Sequence, residues 1–334
     1  MPRLDKNVRL QKVFMFWLFA RKASRLFGKL TSKSILTFLP PLFVSYRCAK
    51  KARHCQIPHL LVLYDIHPDT LIRRRSLSRQ NPVAKLLKRE TRSAIEMSSA
   101  IVAIGRDMRS YVISEYGVSP EKVQYIPNWG SLSHEETLQS GRENTDANKA
   151  FTVVYTGNLG EACGLDDLVD SAASICEQNQ DIEFNIVGNG RRKKEILARA
   201  IEKNLKNVKF TDFLPDHDYK RLLRQSSVLV VTLRRESIAM SVPSKLYTYL
   251  SAGKPILAIV PEDSEVDLAV NEDNFGISCR NGDSKGITKA ILELKNNKKL
   301  YNELASNAKI AFESKYRRDI ITGRYAEIIK ELIK

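Results

Sequence analysis

Cysteine is scarce and unpatterned in this 334-residue chain: Cys48, Cys55, Cys163, Cys176 and Cys279 are odd in number and nowhere form Cys-x-x-Cys or stand beside His pairs. That excludes a disulfide framework and a zinc site, and it fits a reduced cytoplasmic compartment. Long apolar runs are also missing. The run VFMFWLFA at 13–20 has eight residues, which as a helix would be about 12 Å long against a hydrocarbon core of about 30 Å, so it does not span a bilayer. Strong positive charge follows it and no small-residue cleavage site does, so it is not a signal peptide. There is no zinc-finger spacing, RNP motif or continuous basic region, which disfavours a nucleic-acid partner, and no internal repeat or low-complexity tract.

What is abundant is positive charge, and it is unevenly placed. The net charge is +16; residues 1–130 hold 24 Lys and Arg against 8 Asp and Glu, and residues 131–334 hold 30 against 30. A basic first part means anionic partners, lipid headgroups foremost, or only a solvated surface. After Ala20 the pattern turns amphipathic: Arg21, Lys22, Arg25 and Lys29 fall on one helical face, and Ala23, Leu26, Phe27 and Leu30 on the other. Such a segment lies on an anionic membrane surface or packs on its own domain with its lysines outward.

From residue 151 onward, short β-branched runs alternate with helical patterns. Strands are expected near 151–156, 183–188, 207–210, 228–233, 255–260 and 275–279. Strands apolar throughout are buried on both faces, and the spacing supplies crossover helices, so this half reads as a doubly wound parallel sheet. The polar stretch 131–150 reads as a linker. Before it, strands near 34–38, 59–65, 100–104 and 123–126, with helices near 42–53, 82–98 and 106–116, make a smaller sheet. The expected organisation is a first α/β domain over 1–130, the linker over 131–150, a second over 151–314, and a C-terminal helix over 315–334 that returns to the first.

In an open parallel sheet, ligands bind beyond the carboxyl ends of the strands. Three turns there suit anionic groups. Gly157-Asn158-Leu-Gly160 brings bare backbone to whatever docks. Gly188-Asn-Gly190-Arg191-Arg192 couples a glycine turn to guanidiniums. In Ser241-Val-Pro243-Ser244-Lys245, Pro243 sits at a helix's first turn, free N–H groups follow it, and Lys245 adds a charge. Any one turn is equally a matter of chain geometry; three in succession on one sheet favour a diphosphate-bearing ligand. In the first domain, Asp65-Ile-His67-Pro-Asp69 follows a strand. Asp65 and His67 either act on a hydroxyl or cap the local turn.

These motifs carry a resemblance. TGNLGEACGLDDLVDSA at 156–172, IVGNGRRKKEI at 186–196, VKFTDFLPDHDYKRLLRQSSVLVVTL at 208–233 and above all SVPSKLYTYLSAGKPILAIV at 241–260 make the chain similar to glycosyltransferases of family 4, with the two-Rossmann GT-B fold, over about residues 30–334. IVAIGRDMRSYVISEYGV at 101–118 and IPNW at 126–129 extend it. The resemblance points to the bacterial branch that builds exopolysaccharide and O-antigen repeats, and it implies a cytoplasmic enzyme on the inner face of the cell membrane. It implies a metal-free, retaining transferase that moves a sugar from a nucleotide-diphosphate sugar to a lipid-linked or polysaccharide acceptor; the donor is a substrate, and no cofactor is needed. No Asp-x-Asp pair stands at a strand end, in keeping with this. The implied donor-binding set is Gly157, Asn158, Gly160, Gly188, Gly190, Arg191, Leu214, Ser241, Pro243, Ser244, Lys245 and Thr248, and the implied catalytic set Asp65, His67 and Glu236.

The chain departs from the family's pattern in four ways. Where many members carry an Arg and a Lys for the diphosphate it has Asn158 and Cys163. Where many have two glutamates it has Met240 and Thr248, leaving Glu236 as the acid nearby. Tyr64-Asp65 stands where His-Asp is common. The family's opening strand and glycine-rich loop are not found, so the first domain is expected to be incomplete; the alternative function is a nucleotide-sugar-binding subunit that needs a partner.

Overall fold

A computed structural model describes residues 9–27, 32–41, 43–130, 150–178 and 181–334. The chain forms two compact units. Unit 1 comprises Met1–Pro127, Ala239–Val242 and Thr322–Lys334; unit 2 comprises Asn128–Ile238 and Pro243–Ile321. Most of the linker expected over 131–150 lies outside the described residues. So do Lys29 and Leu30 of the amphipathic segment.

Unit 1 begins with α1 (Arg9–Phe27), followed by β1 (Ile35–Leu39), α2 (Val44–His54), β2 (His59–Leu63), α3 (Asp69–Arg73), α4 (Pro82–Met97), β3 (Ala100–Ala103), α5 (Arg106–Tyr116) and β4 (Val123–Tyr125). The four strands are parallel in the order β1-β2-β3-β4. β2 and β3 are buried along their whole length, as expected of apolar central strands flanked on both edges. Local chemistry sets the helix ends. Asn81 caps α4 by accepting the Val83 N–H at 2.8 Å, with Pro82 at the first turn where its missing N–H costs nothing.

α1 packs on α2 through Phe16, Trp17 and Ala20, which join Val44, Cys48 and Ala52 in one cluster. Arg21 and Arg47 each lie 5.5 Å from the Trp17 ring centroid. The segment is thus bound to its own unit, while Phe14 and Leu26 stay more than half exposed. No described helix is long and apolar enough to cross a membrane.

Unit 2 contains β5 (Phe151–Thr156), α6 (Asp166–Gln178), β6 (Ile182–Val187), α7 (Lys193–Glu202), β7 (Val208–Thr211), α8 (Asp216–Gln225), β8 (Val228–Thr232), α9 (Lys245–Ser251), β9 (Ile256–Ile259), α10 (Glu265–Asp273), β10 (Gly276–Cys279), α11 (Ser284–Asn296) and α12 (Lys298–Ala311). The last helix, α13 (Arg318–Leu332), starts in unit 2 and continues into unit 1. The parallel sheet has the order β10-β9-β8-β5-β6-β7. The chain steps outward from β5 through β6 to β7, then returns to place β8 on the other side of β5. That reversal leaves a crevice beyond the carboxyl ends of β5 and β8, where a doubly wound sheet takes its ligands.

Candidate functional site

The loops after β5 and β6 are pressed together backbone to backbone. Gly157 N–H donates to Val187 O at 2.9 Å, Leu159 N–H to Asn189 O at 2.9 Å, and Arg192 N–H to Leu159 O at 2.9 Å. Gly188 makes this possible: at φ +144° a β-carbon there would come 1.8 Å from Gly157 O. One at Gly190 would meet the Leu159 backbone at 2.5 Å. These two glycines therefore serve the packing of one loop on the other. Gly157 serves a different neighbour, since its missing β-carbon leaves room for the Lys245 ammonium, 2.7 Å from where that carbon would be.

Lys245 opens α9 and turns its chain back into the crevice, so that Nζ lies 3.6 Å from the centroid of the Tyr155 ring. Tyr155, at the end of β5, is itself buried and donates to Asn158 O at 3.2 Å. Desolvation lowers the Lys245 pKa to about 7, slightly offset by the nearby Cys163 thiol. Because α9 has only seven residues, its dipole adds little, and the charge in this corner is the ammonium.

The two arginines of the second turn divide. Arg192 is 6 % exposed and turned inward; it makes a two-pronged pair with Asp166 at 3.0 and 2.7 Å and a further one with Glu195. Arg234, in the loop after β8, reaches the same Asp166 at 2.9 Å. Burial pushes the Asp166 carboxyl up, but the hydrogen bonds from Arg192 and Arg234 outweigh it and hold the pKa at about 2. Arg191 is exposed and has no hydrogen bond or ion pair with the described residues. The inward arginine ties the crevice together and the outward one is available to a ligand. Asp166 and Arg234 are not among the site residues expected from sequence. The Asp-Asp step of GLDDLVDSA was the one visible sign.

The other expected residues are distributed as follows. Asn158 and Ser244 are exposed, and Gly160, Leu214 and Pro243 are half-buried. Thr248 is buried within α9. Glu236 is exposed on a single helical turn, Arg235–Ser237, after β8. Ser241 belongs to unit 1, where it forms an isolated antiparallel bridge with Asp65, and Ile66 N–H donates to Met240 O at 3.2 Å beside it. In unit 1, burial raises the Asp65 pKa to about 6, against the pull of Arg74 and a hydrogen bond from Ser241. Burial and the Arg74 charge lower His67 to about 4, against Asp69, and His67 Nδ1 is buried without a hydrogen-bond partner among the described residues. Asp65 and His67 stand two residues apart in the chain, and buried titratable groups with shifted pKa values of this kind gather at functional sites.

A parallel sheet with a glycine-spaced loop pair and a lysine at its switch point places unit 2 among the doubly wound α/β folds. The family comparison makes it specific. Residues 139–311 match the family of glycosyl transferases group 1 and residues 6–132 match glycosyltransferase family 4, and the chain belongs to these glycosyltransferases. Among curated relatives it is 24 % identical over 243 residues to the probable glycosyltransferase WbjE of Pseudomonas aeruginosa, covering 70 % of this chain and 59 % of WbjE. It is 28 % identical over 178 residues to the putative colanic acid biosynthesis glycosyl transferase WcaI of Escherichia coli, covering 51 % of this chain and 43 % of WcaI. The chain thus spans about half the length of these two relatives. Its fold matches the crystal structure of Anabaena HepE in complex with UDP, with a TM-score of 0.72 at 16 % identity, over 93 % of this chain and 82 % of HepE. It also matches sucrose-phosphate synthase from Thermosynechococcus elongatus, with a TM-score of 0.75 at 12 % identity, over 99 % and 81 %. The two parallel-sheet units have the GT-B architecture.

Proposed function

We propose that the protein is a retaining, metal-independent glycosyltransferase that moves a sugar from a nucleotide-diphosphate sugar to a lipid-linked or polysaccharide acceptor in cell-surface polysaccharide synthesis. The observation that carries this reading is the Lys245 ammonium, set beside Gly157 and over Tyr155 at the switch point of unit 2. Departure of a nucleoside diphosphate develops negative charge, and a pre-placed cation with the outward Arg191 meets that charge without a divalent ion. Asp65, with its raised pKa, and His67 are the groups of unit 1 suited to act on the acceptor hydroxyl. Family membership and the WbjE and WcaI likenesses support the polysaccharide setting. The exposed apolar and basic side chains of α1 support work at the inner face of an anionic membrane.

The test is nucleotide release from a panel of UDP-, GDP- and dTDP-sugars, with lipid-linked acceptors and excess chelator, and the anomeric configuration of product read by NMR. Turnover that persists in chelator with retained configuration supports the proposal. Donor binding without turnover would shift the chain to the binding-subunit alternative, and no donor affinity at millimolar concentration would sink both.

A further inference from the structure

The outer strand of unit 1, β1, carries an aromatic side chain that its own fold leaves open. Ile35, Thr37 and Leu39 of β1 are buried, and Ile35 packs with Val44 and Cys48 of α2. Side chains alternate along a strand, so Leu36 and Phe38 stand on the other face of the sheet, away from α2. Phe38 is 43 % exposed there.

Its neighbour on that face is Tyr64. Phe38 lies opposite Val62 in the β1–β2 pairing, and Tyr64 follows two residues later, so the two rings are diagonal neighbours. Their centroids are 5.5 Å apart and their planes are inclined by 37°. The Tyr64 and Asp65 N–H groups both donate to Leu39 O, at 2.9 and 3.1 Å, and this holds the end of β2 against the end of β1. Tyr325, from the part of α13 that belongs to unit 1, joins the group. Burial raises its pKa and the Tyr64 phenol raises it further, against the Arg324 charge; burial raises Tyr64 as well. Both tyrosines are half-buried, and neither hydroxyl makes a hydrogen bond with the described residues.

Half-buried hydroxyls without protein partners are satisfied by a ligand or by water. Two of them beside the open face of a phenyl ring match the chemistry of a pyranose, which has a face of axial C–H bonds and a rim of hydroxyls. The C–H face stacks on the aromatic ring while the rim bonds to the phenols. A polyprenyl chain would cover the ring and leave the hydroxyls unpaired, and a phosphate would leave the ring bare.

We propose that Phe38, Tyr64 and Tyr325 form a platform for a sugar ring of the acceptor at the carboxyl ends of β1 and β2. The proposal rests on the reading of the protein as a transferase and narrows its acceptor to one that already carries a saccharide. Asp65, assigned above to the acceptor hydroxyl, is the residue after Tyr64, so the platform adjoins that carboxyl along the chain.

Saturation-transfer NMR of the full chain with the methyl pyranosides of glucose, galactose, mannose and N-acetylglucosamine reads the platform without turnover. Saturation of the ring C–H protons of at least one glycoside is expected, with loss in Phe38→Ala and retention in Phe38→Tyr. In turnover with a polyprenyl-diphosphate-linked monosaccharide, Phe38→Ala should raise the acceptor KM about tenfold and leave the donor KM unchanged. Tyr64→Phe and Tyr325→Phe should each raise it about fivefold, the worth of one hydrogen bond, and these two carry the test should Phe38→Ala fail to fold. A merely structural role would lower kcat and Tm with the acceptor KM unmoved, and that result overturns the proposal. Equal turnover of a polyprenyl phosphate that bears no sugar overturns it too. So does a dimer, seen by light scattering, that Phe38→Ala dissociates while no glycoside binds, since the face would then join two copies of the chain. Absence of donor binding in thermal-shift assays, with glycoside binding kept, would instead sink the transferase reading and leave the sugar platform standing.

Discussion

The Lys245 ammonium rests 3.6 Å from the centre of the Tyr155 ring, so a cation from the start of one helix is held by the aromatic end of the strand beside it. Desolvation has brought its pKa down to about 7. A diphosphate arriving there would favour the charged form and raise that pKa, so donor binding takes up a proton whenever the solution is more alkaline than about pH 7. The expected result is a nucleotide affinity flat below pH 7 that weakens by up to tenfold per pH unit above it. Calorimetry in buffers of different ionisation enthalpy should show the uptake directly. Lys245→Met is expected to lose about 10- to 100-fold in affinity, the worth of a hydrogen bond to a charged group. Lys245→Arg, charged at every accessible pH, should bind with no pH dependence, and a persistent pH dependence in that variant would move the titration to another group.

Two glycines offer a paired test of the fold. Gly188 presses on the Gly157 carbonyl at a positive φ, whereas Gly323, inside α13, has nothing within 4 Å of its missing β-carbon. Gly188→Ala is expected to destabilise unit 2 by about 3 kcal/mol through overlap and backbone strain, and to abolish nucleotide binding. Gly323→Ala is expected to stabilise by about 1 kcal/mol through helix propensity. Thermal melts of both variants decide the matter; an unchanged midpoint for Gly188→Ala would mean that the loop pair is not closed as described.

The strands of both units were legible because burial on two faces writes itself as continuous apolar sequence, as in VLVVT of β8 and HLLVL of β2. The glycine turns after β5 and β6 were legible as well, because a turn that follows a strand is a local pattern. What local pattern could not show was which of two adjacent arginines turns inward. That depends on Asp166, which is 26 residues away and draws Arg192 rather than Arg191. Nor could it show that Ser241, four residues before Lys245, belongs to unit 1 and pairs there with Asp65, 176 residues earlier in the chain. Long-range pairing chose the partners; glycine and lysine spacing only marked the neighbourhood.

Acid should weaken the protein through its histidines. His59 is buried between the Thr37 and Ser98 hydroxyls at 2.8 and 2.9 Å, and burial lowers its pKa to about 4, as it does for His67. Both rings are neutral in the fold and would be protonated in the unfolded chain below its usual pKa near 6.5, so the stability they confer is lost as pH falls from about 6.5 to 4. Asp65 acts in the opposite sense: raised to about 6, it keeps its proton in the fold where the unfolded chain has lost it, so stability is gained as pH falls from about 6 toward 4. Two losses and one gain leave a net of one proton, about 1.4 kcal/mol per pH unit in that window. Asp166, already depressed to about 2, contributes only below that window. Urea melts from pH 7 to 4.5 should show the slope, and His59→Gln should nearly flatten it while lowering stability at pH 7.

Asp65 offers the sharpest test of the proposed chemistry, because its pKa is set by competing forces that can be altered singly. Burial raises it, and the hydrogen bond from Ser241 lowers it. If the ionised carboxylate works on the acceptor hydroxyl, kcat falls as pH drops through about 6. Asp65→Asn should then cut kcat by at least the 100-fold typical of a lost general base and leave donor affinity near that of the parent. Ser241→Ala removes a hydrogen bond that favours the charged form, so the acidic limb of the kcat profile should move to higher pH while activity on the alkaline side is kept. A purely structural role for Ser241 would lower kcat at every pH and leave the limb in place, so the position of that limb separates the two roles.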